Sequence, residues 1–254
     1  MPTPRTPLAA AVRTLTKLYG SAPAPFPIDP FEIILWENAA YLADDDRRRG
    51  AFELLRREIG TRPEQILAAS PAQLRRVTAH GILSDQFAEK LQQAARLALE
   101  KCGGDLDQVV RRPLPEAKKI LRLFPGIGEP GAEKILLFTG RQPLLAPDSN
   151  ALRVLVRLGI APEKPSYSAT YTAARQAAEE QLGRDLKLHF AAHQLLRRHG
   201  LELCRRSVPA CDRCPLVLDC QFGSRQRTGG DKLAVKRTST RKQAPGSARR
   251  SPRS

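Results

Sequence analysis

A chain of 254 residues has room for one large domain or two small ones, with ample core for independent folding. It contains no apolar run of the roughly 18 residues a bilayer-spanning helix needs, so it is read as having no membrane partner. Its formal net charge is +16, from 42 Lys and Arg against 26 Asp and Glu, which favours a polyanionic partner.

The charge is unevenly spread. Residues 224–254 hold ten Lys or Arg and one Asp, a surplus of nine, and the other 223 residues supply the remaining seven. This tail is rich in Ser, Thr, Gly and Pro and nearly devoid of large apolar side chains, so it is expected to be a disordered basic arm. Such an arm adds salt-sensitive attraction to phosphates.

In chain order, MPTPRTPLAAAVRTLTKLYG carries an Arg and a Lys inside its apolar run. It reads as an amphipathic helix rather than a signal peptide, and the chain as cytoplasmic. The segments PFEIILWENAAYLA, PEQILAAS, PAQLRRVTAH, FAEKLQQAARLALEK, PEAKKILRLF, GAEKILLFTG, SNALRVLVRLGI, YTAARQAAEEQL and KLHFAAHQLLRRHG repeat apolar residues every three or four positions. Each predicts a helix. Pro and Gly punctuate the gaps, and no alternating strand pattern appears, so the fold class is all-α.

Four of the five cysteines crowd into 17 residues: Cys204, Cys211, Cys214 and Cys220, spaced C-x6-C-x2-C-x5-C. Clustering of this kind points to metal rather than disulfides. Four thiolates on a short loop-rich segment can wrap one tetrahedral ion or one cubane. A zinc ribbon usually carries two C-x2-C knuckles, and only one is present, so a [4Fe–4S] cluster is favoured. Cys102, standing alone, reads as a small residue near a helix end.

Between two predicted helices lies Leu123-Phe124-Pro125-Gly126-Ile127-Gly128. Its glycines permit a tight turn with exposed N–H groups, and Ile127 can plug the core beneath. The start of the next helix then offers free N–H groups and a positive dipole end to a phosphate. A plain turn between packed helices would have the same sequence.

Three of these segments, in this order, resemble the endonuclease III-like superfamily of DNA glycosylases. The cysteine spacing resembles that family's cluster ligands, and HQLLRRHGLELC its approach to the first of them. The hairpin resembles the family's L-P-G-V-G or L-P-G-I-G turn. Pro147-Asp148-Ser149-Asn150 followed by LRVLVRLG resembles the helix start that carries the family's catalytic Asp. The resemblance spans residues 28–222. It implies a two-lobed helix-hairpin-helix fold: residues 28–140 as a six-helix bundle, 141–223 as the [4Fe–4S] lobe, 1–27 packing on that lobe, and 224–254 as the tail. It also implies a monomer that binds double-stranded DNA in the nucleoid and flips a base from the stack to cut its glycosidic bond.

The site residues follow from the same resemblance. Asp148 would stabilise the positive charge that builds on the sugar as the base departs; as a bare sequence feature it is also a good helix N-cap. Asn150 would hydrogen-bond beside it. Pro125, Gly126, Ile127 and Gly128, with Arg205 and Arg206 from the cysteine segment, would hold backbone phosphate. Glu37, within I-L-W-E-N, resembles the general acid of the adenine-glycosylase branch, and partial burial is expected to keep some of it protonated near neutrality. The wedge motif that follows in that branch reads Ala40-Tyr41-Leu42 here; Tyr41 and Leu42 are expected to pack in the core, with a wedge role for either as the alternative. Pro130 occupies the position of the family's imine-forming Lys, which argues for water as nucleophile and a monofunctional enzyme. Lys134, one turn on, is expected on the surface or against phosphate. A bifunctional glycosylase and abasic lyase using a displaced Lys, and a catalytically silent DNA binder, are the alternatives.

Overall fold

The computed structural model describes residues 7–225; the tail expected to be disordered lies, from residue 226 on, outside the described residues. Among the described residues there are twelve α-helices, one 3-10 turn, a further helical stretch at 221–225 and no strand. None of the helices is long and apolar enough to cross a membrane.

Local chemistry sets most helix starts. Helix α1 is Leu8–Tyr19, and α2, Pro30–Ala39, opens with Asp29 accepting from the Glu32 N–H and with proline at its first position. Asp44 caps α3, Asp45–Glu58, by accepting from Arg47 N. Pro63 opens α4, Pro63–Ala68, and Ser70 with Gln73 makes a capping box for α5, Pro71–Thr78. The long α6, Ser84–Cys102, ends on left-handed Gly103. Then come α7, Leu106–Val110, α8, Leu114–Leu121, and α9, Glu129–Phe138, the last two flanking the predicted hairpin. Asp148, Ser166 and Asp185 cap α10, Ser149–Leu158, α11, Tyr167–Leu182, and α12, Leu186–Glu202.

These helices bury two separate hydrophobic cores. One gathers α2 to α9 around Phe31, Ile34, Phe52, Leu91, Leu121 and Ile135. The other joins α1 to α10, α11 and α12 around Leu8, Leu15, Leu155, Tyr171 and Leu196, with the cysteine segment packed against it. At roughly 1.5–3 kcal/mol for each large apolar side chain buried, either core outweighs any single polar contact between them.

Three helix assignments differ from the sequence reading, the shortest being α7, a five-residue helix where none was predicted. α3 carries only three fully buried residues, Ala51, Phe52 and Leu55, on an otherwise charged segment, so its apolar stripe is too short to register as periodicity. α2 stops at Ala39 rather than running through Leu42. Leu42 adopts a left-handed φ of 55°, and no Pro or Gly marks the break.

Candidate active site

Asp148 sits where the two cores face each other. Its Oδ1 accepts from Asn150 N at 2.9 Å and Ala151 N at 2.8 Å. Its Oδ2 accepts from Asn150 Nδ2 at 3.2 Å and stands 3.2 Å from Arg197 Nε. Three N–H donors hydrogen-bond the carboxylate and the Arg197 guanidinium pairs with it, while 33% of the side chain stays exposed. The carboxylate is therefore fixed in direction by groups that do not have to reorganise.

Those donors are themselves held. Arg153 Nη2 donates to Asn150 Oδ1 at 3.0 Å, which turns the amide so that its Nδ2 faces Asp148. The same guanidinium donates to Gly200 O at 2.8 Å and Cys204 O at 3.0 Å. Arg197 reaches the first core, where Asp45 takes it in two bonds of 2.6 and 2.7 Å. Gly200 lets α10 and α12 approach this closely: a Cβ there would fall 2.7 Å from Asn150 O. Sequence reasoning singled out neither arginine. RVLVRLG and LLRRHG gave positions on helices, not the face each side chain would reach.

Across the seam, Glu37 on α2 is paired directly with Lys134 Nζ on α9. Burial alone would raise the Glu37 carboxyl, but the Lys134 charge and hydrogen bond, with help from Arg48, outweigh it and hold the group below the usual carboxylate range. The expectation that Glu37 stays partly protonated near neutrality is thus corrected: the structure supplies a cation the sequence could not place. Lys134 is corrected with it. Its side chain is 20% exposed and faces the seam, not the solvent. His193 closes the gap, its Nδ1 2.8 Å from Ala146 O. Burial, reinforced by the Lys134 charge, pushes this imidazole down to about 4, so it is neutral.

Glu37 and Ser149, the residue after Asp148, line different spaces. Glu37 lines a cavity of about 960 Å³ with Tyr41, Leu42, Arg48, Leu83, Gln86 and Gly126. A second space, about 1560 Å³, begins beside Asp148 at Ser149 and runs over Lys164, Tyr167 and Arg206. Tyr41 and Leu42 are not core residues, contrary to expectation. Leu42 is 71% exposed, and Tyr41 stacks on Phe87 with ring centroids 4.5 Å apart at the rim. Leu83 stands exposed beside them, also with a left-handed φ.

The hairpin joins α8 to α9. Ile127 is buried in the first core and Gly126 has a φ of 76°. A Cβ on Gly126 would lie 2.9 Å from Asn38 Oδ1, so a larger residue has no room. Asn38, fully buried, donates to Ile34 O and Pro125 O, each at 2.9 Å, and ties the turn to α2. Pro125 is half-buried, and Gly128 caps α9 without a side chain. Glu129 at the first position of α9 would repel an anion, but it is paired with Lys118 and, at 3.4 Å, with Arg122.

Cys204, Cys211, Cys214 and Cys220 are all unpaired by disulfides and line one largely apolar cavity of about 360 Å³. Burial pushes up the thiols of Cys211, Cys214 and Cys220, Cys214 to about 11, and thiolate charge on the neighbouring cysteines raises them further. Such a set is stable as thiolates only around positive charge. Among the described residues, no group of three or more His, Cys, Asp or Glu side chains closes tightly enough to hold a single metal ion. Arg157 clamps the same segment, donating to Arg205 O at 2.7 Å and Arg206 O at 3.0 Å, while the Arg205 and Arg206 side chains stay exposed.

Over 201 residues the chain is 24% identical to endonuclease III of Thermotoga maritima, an alignment covering 79% of this chain and 87% of that one. It is 26% identical over 171 residues to endonuclease III of Bacillus subtilis, 66% of this chain and 71% of the relative. No protein-family model matches it. A solved non-covalent complex of endonuclease III with DNA has the same fold: TM-score 0.70 at 19% identity, over 86% of this chain and 95% of that one. The chain thus shares its all-helical fold with solved endonuclease III and is similar in sequence, over most of its length, to endonuclease III proteins.

Proposed function

We propose that this protein is a base-excision DNA glycosylase that hydrolyses the N-glycosidic bond of a damaged or mismatched base and leaves the strand uncut. The observation that carries the reading is Asp148: a carboxylate held by three hydrogen bonds and an arginine ion pair at a helix start between two cores. As the glycosidic bond breaks, its electron pair leaves with the base and positive charge builds on the sugar. A preoriented negative charge favours that state without reorganising. Asn150 and Arg153 keep the carboxylate aimed. Asp148 acts there as a fixed charge, and its exposed part leaves an approach for the attacking water.

The remaining assignments fit this chemistry. Gly126 and Gly128 present backbone N–H groups to one phosphate, with Pro125 and Ile127 shaping the turn that exposes them, and Arg205 and Arg206 reach another. Tyr41, Leu42 and Leu83 form an exposed rim suited to entering the stack vacated by the extruded nucleotide. Arg197 bridges the seam to Asp45, with the Glu37–Lys134 pair on the first-core side of it, so the nucleotide has to part Arg197 from Asp45 on entry. The four cysteines would hold a [4Fe–4S] cluster, which when bound supplies a rigid cross-link between residues 204 and 220. Thiols spread around a cavity suit a multinuclear centre better than one ion, which needs sulfurs about 2.3 Å from a shared point.

The test is product analysis on duplexes carrying uracil, thymine glycol, an alkylated purine or adenine opposite oxidised guanine. The wild type should release a base from at least one and leave an alkali-labile abasic site. Asp148→Asn should lose roughly 100-fold or more. Release undiminished in Asp148→Asn would end this reading, and no release from any duplex would leave a DNA binder.

A second reading has one observation in its favour. Lys134 places an amine in the seam against a carboxylate able to take its proton, one turn beyond the proline that replaces the usual lysine. Its attack on the sugar would give an imine and then strand cleavage. Borohydride trapping decides between the two: a covalent adduct lost in Lys134→Met makes the enzyme bifunctional.

A further inference from the structure

Tyr19, the last residue of α1, meets His199 near the end of α12, its hydroxyl oxygen 3.1 Å from Nδ1. The other ring nitrogen, Nε2, lies 3.5 Å from Cys214 Sγ. The protons can be placed by elimination. A thiolate serving as a ligand only accepts, so Nε2 must carry the hydrogen. Nδ1 is then a bare lone pair, and the Tyr19 hydroxyl donates to it. One tautomer satisfies all three groups.

The surroundings hold this chain of donors in place. His199 is 1% exposed. Arg198 lies over the Tyr19 ring, 4.6 Å from its centroid, and donates to Tyr19 O at 3.1 Å. Two further sulfurs have N–H partners of their own: Arg157 Nη1 is 3.4 Å from Cys204 Sγ, and Gly223 N is 3.4 Å from Cys220 Sγ. The Cys214 contact differs in drawing its geometry from α1, some 180 residues away in sequence.

We infer that Tyr19 and His199 form a hydrogen-bond relay onto the Cys214 sulfur that withdraws negative charge from this ligand, raises the reduction potential of the cluster and slows its oxidative loss. The inference rests on the cysteines holding an iron–sulfur cluster. Hydrogen bonds to ligand sulfur stabilise the more negative oxidation level, so removing one favours the oxidised, labile form. Tyr19 acts through His199 and is a positioning residue, since it fixes which imidazole nitrogen bears the proton.

The test uses the full-length protein, purified with its cluster, as wild type, Tyr19→Phe, His199→Gln and His199→Leu. Iron and sulfide are assayed first. Midpoint potential is then measured, along with the rate at which visible absorbance bleaches in ferricyanide. His199→Leu, which keeps volume and loses the donor, should bleach about tenfold faster, with its potential moved negative. Tyr19→Phe should bleach about threefold faster, and His199→Gln, which keeps an N–H, should stay close to wild type. The Tyr19→Phe, His199→Leu double variant should be no faster than His199→Leu alone. If His199→Leu does not fold, the conservative Tyr19→Phe carries the test. Unchanged bleaching and potential in Tyr19→Phe, a His199→Gln as labile as His199→Leu, or multiplying single effects would each overturn the relay. Wild-type protein lacking iron and sulfide would instead overturn the cluster reading, and the relay with it.

Discussion

Gly200→Ala and Gly50→Ala are the same chemical change with opposite expected signs. Both glycines lie inside helices, α12 and α3, and neither has a positive φ. In isolation, a helical Gly→Ala change stabilises by roughly 0.5–1 kcal/mol, because the unfolded chain loses freedom it no longer has to surrender. Gly50 realises that gain: the nearest atom to an added Cβ is the His80 ring, 4.0 Å away. At Gly200 the Cβ would meet Asn150 O at 2.7 Å, Asn150 Cβ at 2.8 Å and Asn150 C at 2.9 Å. Two of these are backbone atoms of α10, which cannot swing aside, so the helices have to move apart. Overpacking of this kind costs roughly 1–3 kcal/mol, and the rigidity of both partners puts it at the upper end. After the propensity gain, a net loss of about 2 kcal/mol remains, or a melting temperature lower by about 4–8 °C for a domain of this size. The displaced residues include Asn150 and the Gly200 carbonyl that receives Arg153, so the base-release rate should fall further than stability does. Calorimetry and single-turnover base release on both variants provide the check. A Gly200→Ala protein that melts at or above wild type, or a Gly50→Ala protein that melts below it, would refute the packing argument.

His193 gives a pH prediction. Its folded value, about 4, lies below the 6.5 of the free imidazole, so the unfolded chain binds more protons between those limits. The stability it contributes is complete above about 6.5 and declines as pH falls towards 4; urea midpoints from pH 7.5 to 5 should show the slope, and His193→Gln should flatten it. Glu129→Gln removes a negative charge from the start of α9 and releases Arg122, so non-specific duplex binding should tighten severalfold in anisotropy titrations at 50–150 mM salt. Unchanged binding there would mean the hairpin does not face phosphate. In Lys134→Met the main charge opposing burial of Glu37 is gone and its carboxyl rises, so stability at neutral pH falls but less of it is lost on acidification, and the acid transition in urea midpoints from pH 7 to 4 should be shallower than in wild type. A coincident acid transition would show that the pair is not formed in solution.

The sequence was most legible where a residue acts through its own backbone. Asp148 at a helix start, Ile127 beneath a glycine turn and four closely spaced cysteines are local patterns, and the described residues hold each where its pattern put it. The misreadings concern side chains whose role depends on a distant partner. Glu37 looked like a buried acid because Lys134 lies 97 positions away, on a helix whose facing the periodicity left open. Arg197 reaches 152 positions back to Asp45, on a helix too charged to be recognised as one. Tyr41 and Leu42 were assigned to the core because the apolar run of α2 has no breaker after Ala39, yet the chain turns outward there. The resemblance supplied the fold where periodicity alone gave only helices.

The packing of α1 has a bearing on how the protein is made. Its partners on α11 and α12 lie more than 150 residues further along: Leu8 N bonds to Gln181 Oε1, and Tyr19 O accepts from Arg198. On the ribosome this first helix emerges with its apolar face unsheltered, and the bundle from α2 to α9 can close while it waits. A truncated chain ending before α11 would keep that bundle but leave α1 with nothing to cover it, and so prone to stick to other nascent chains.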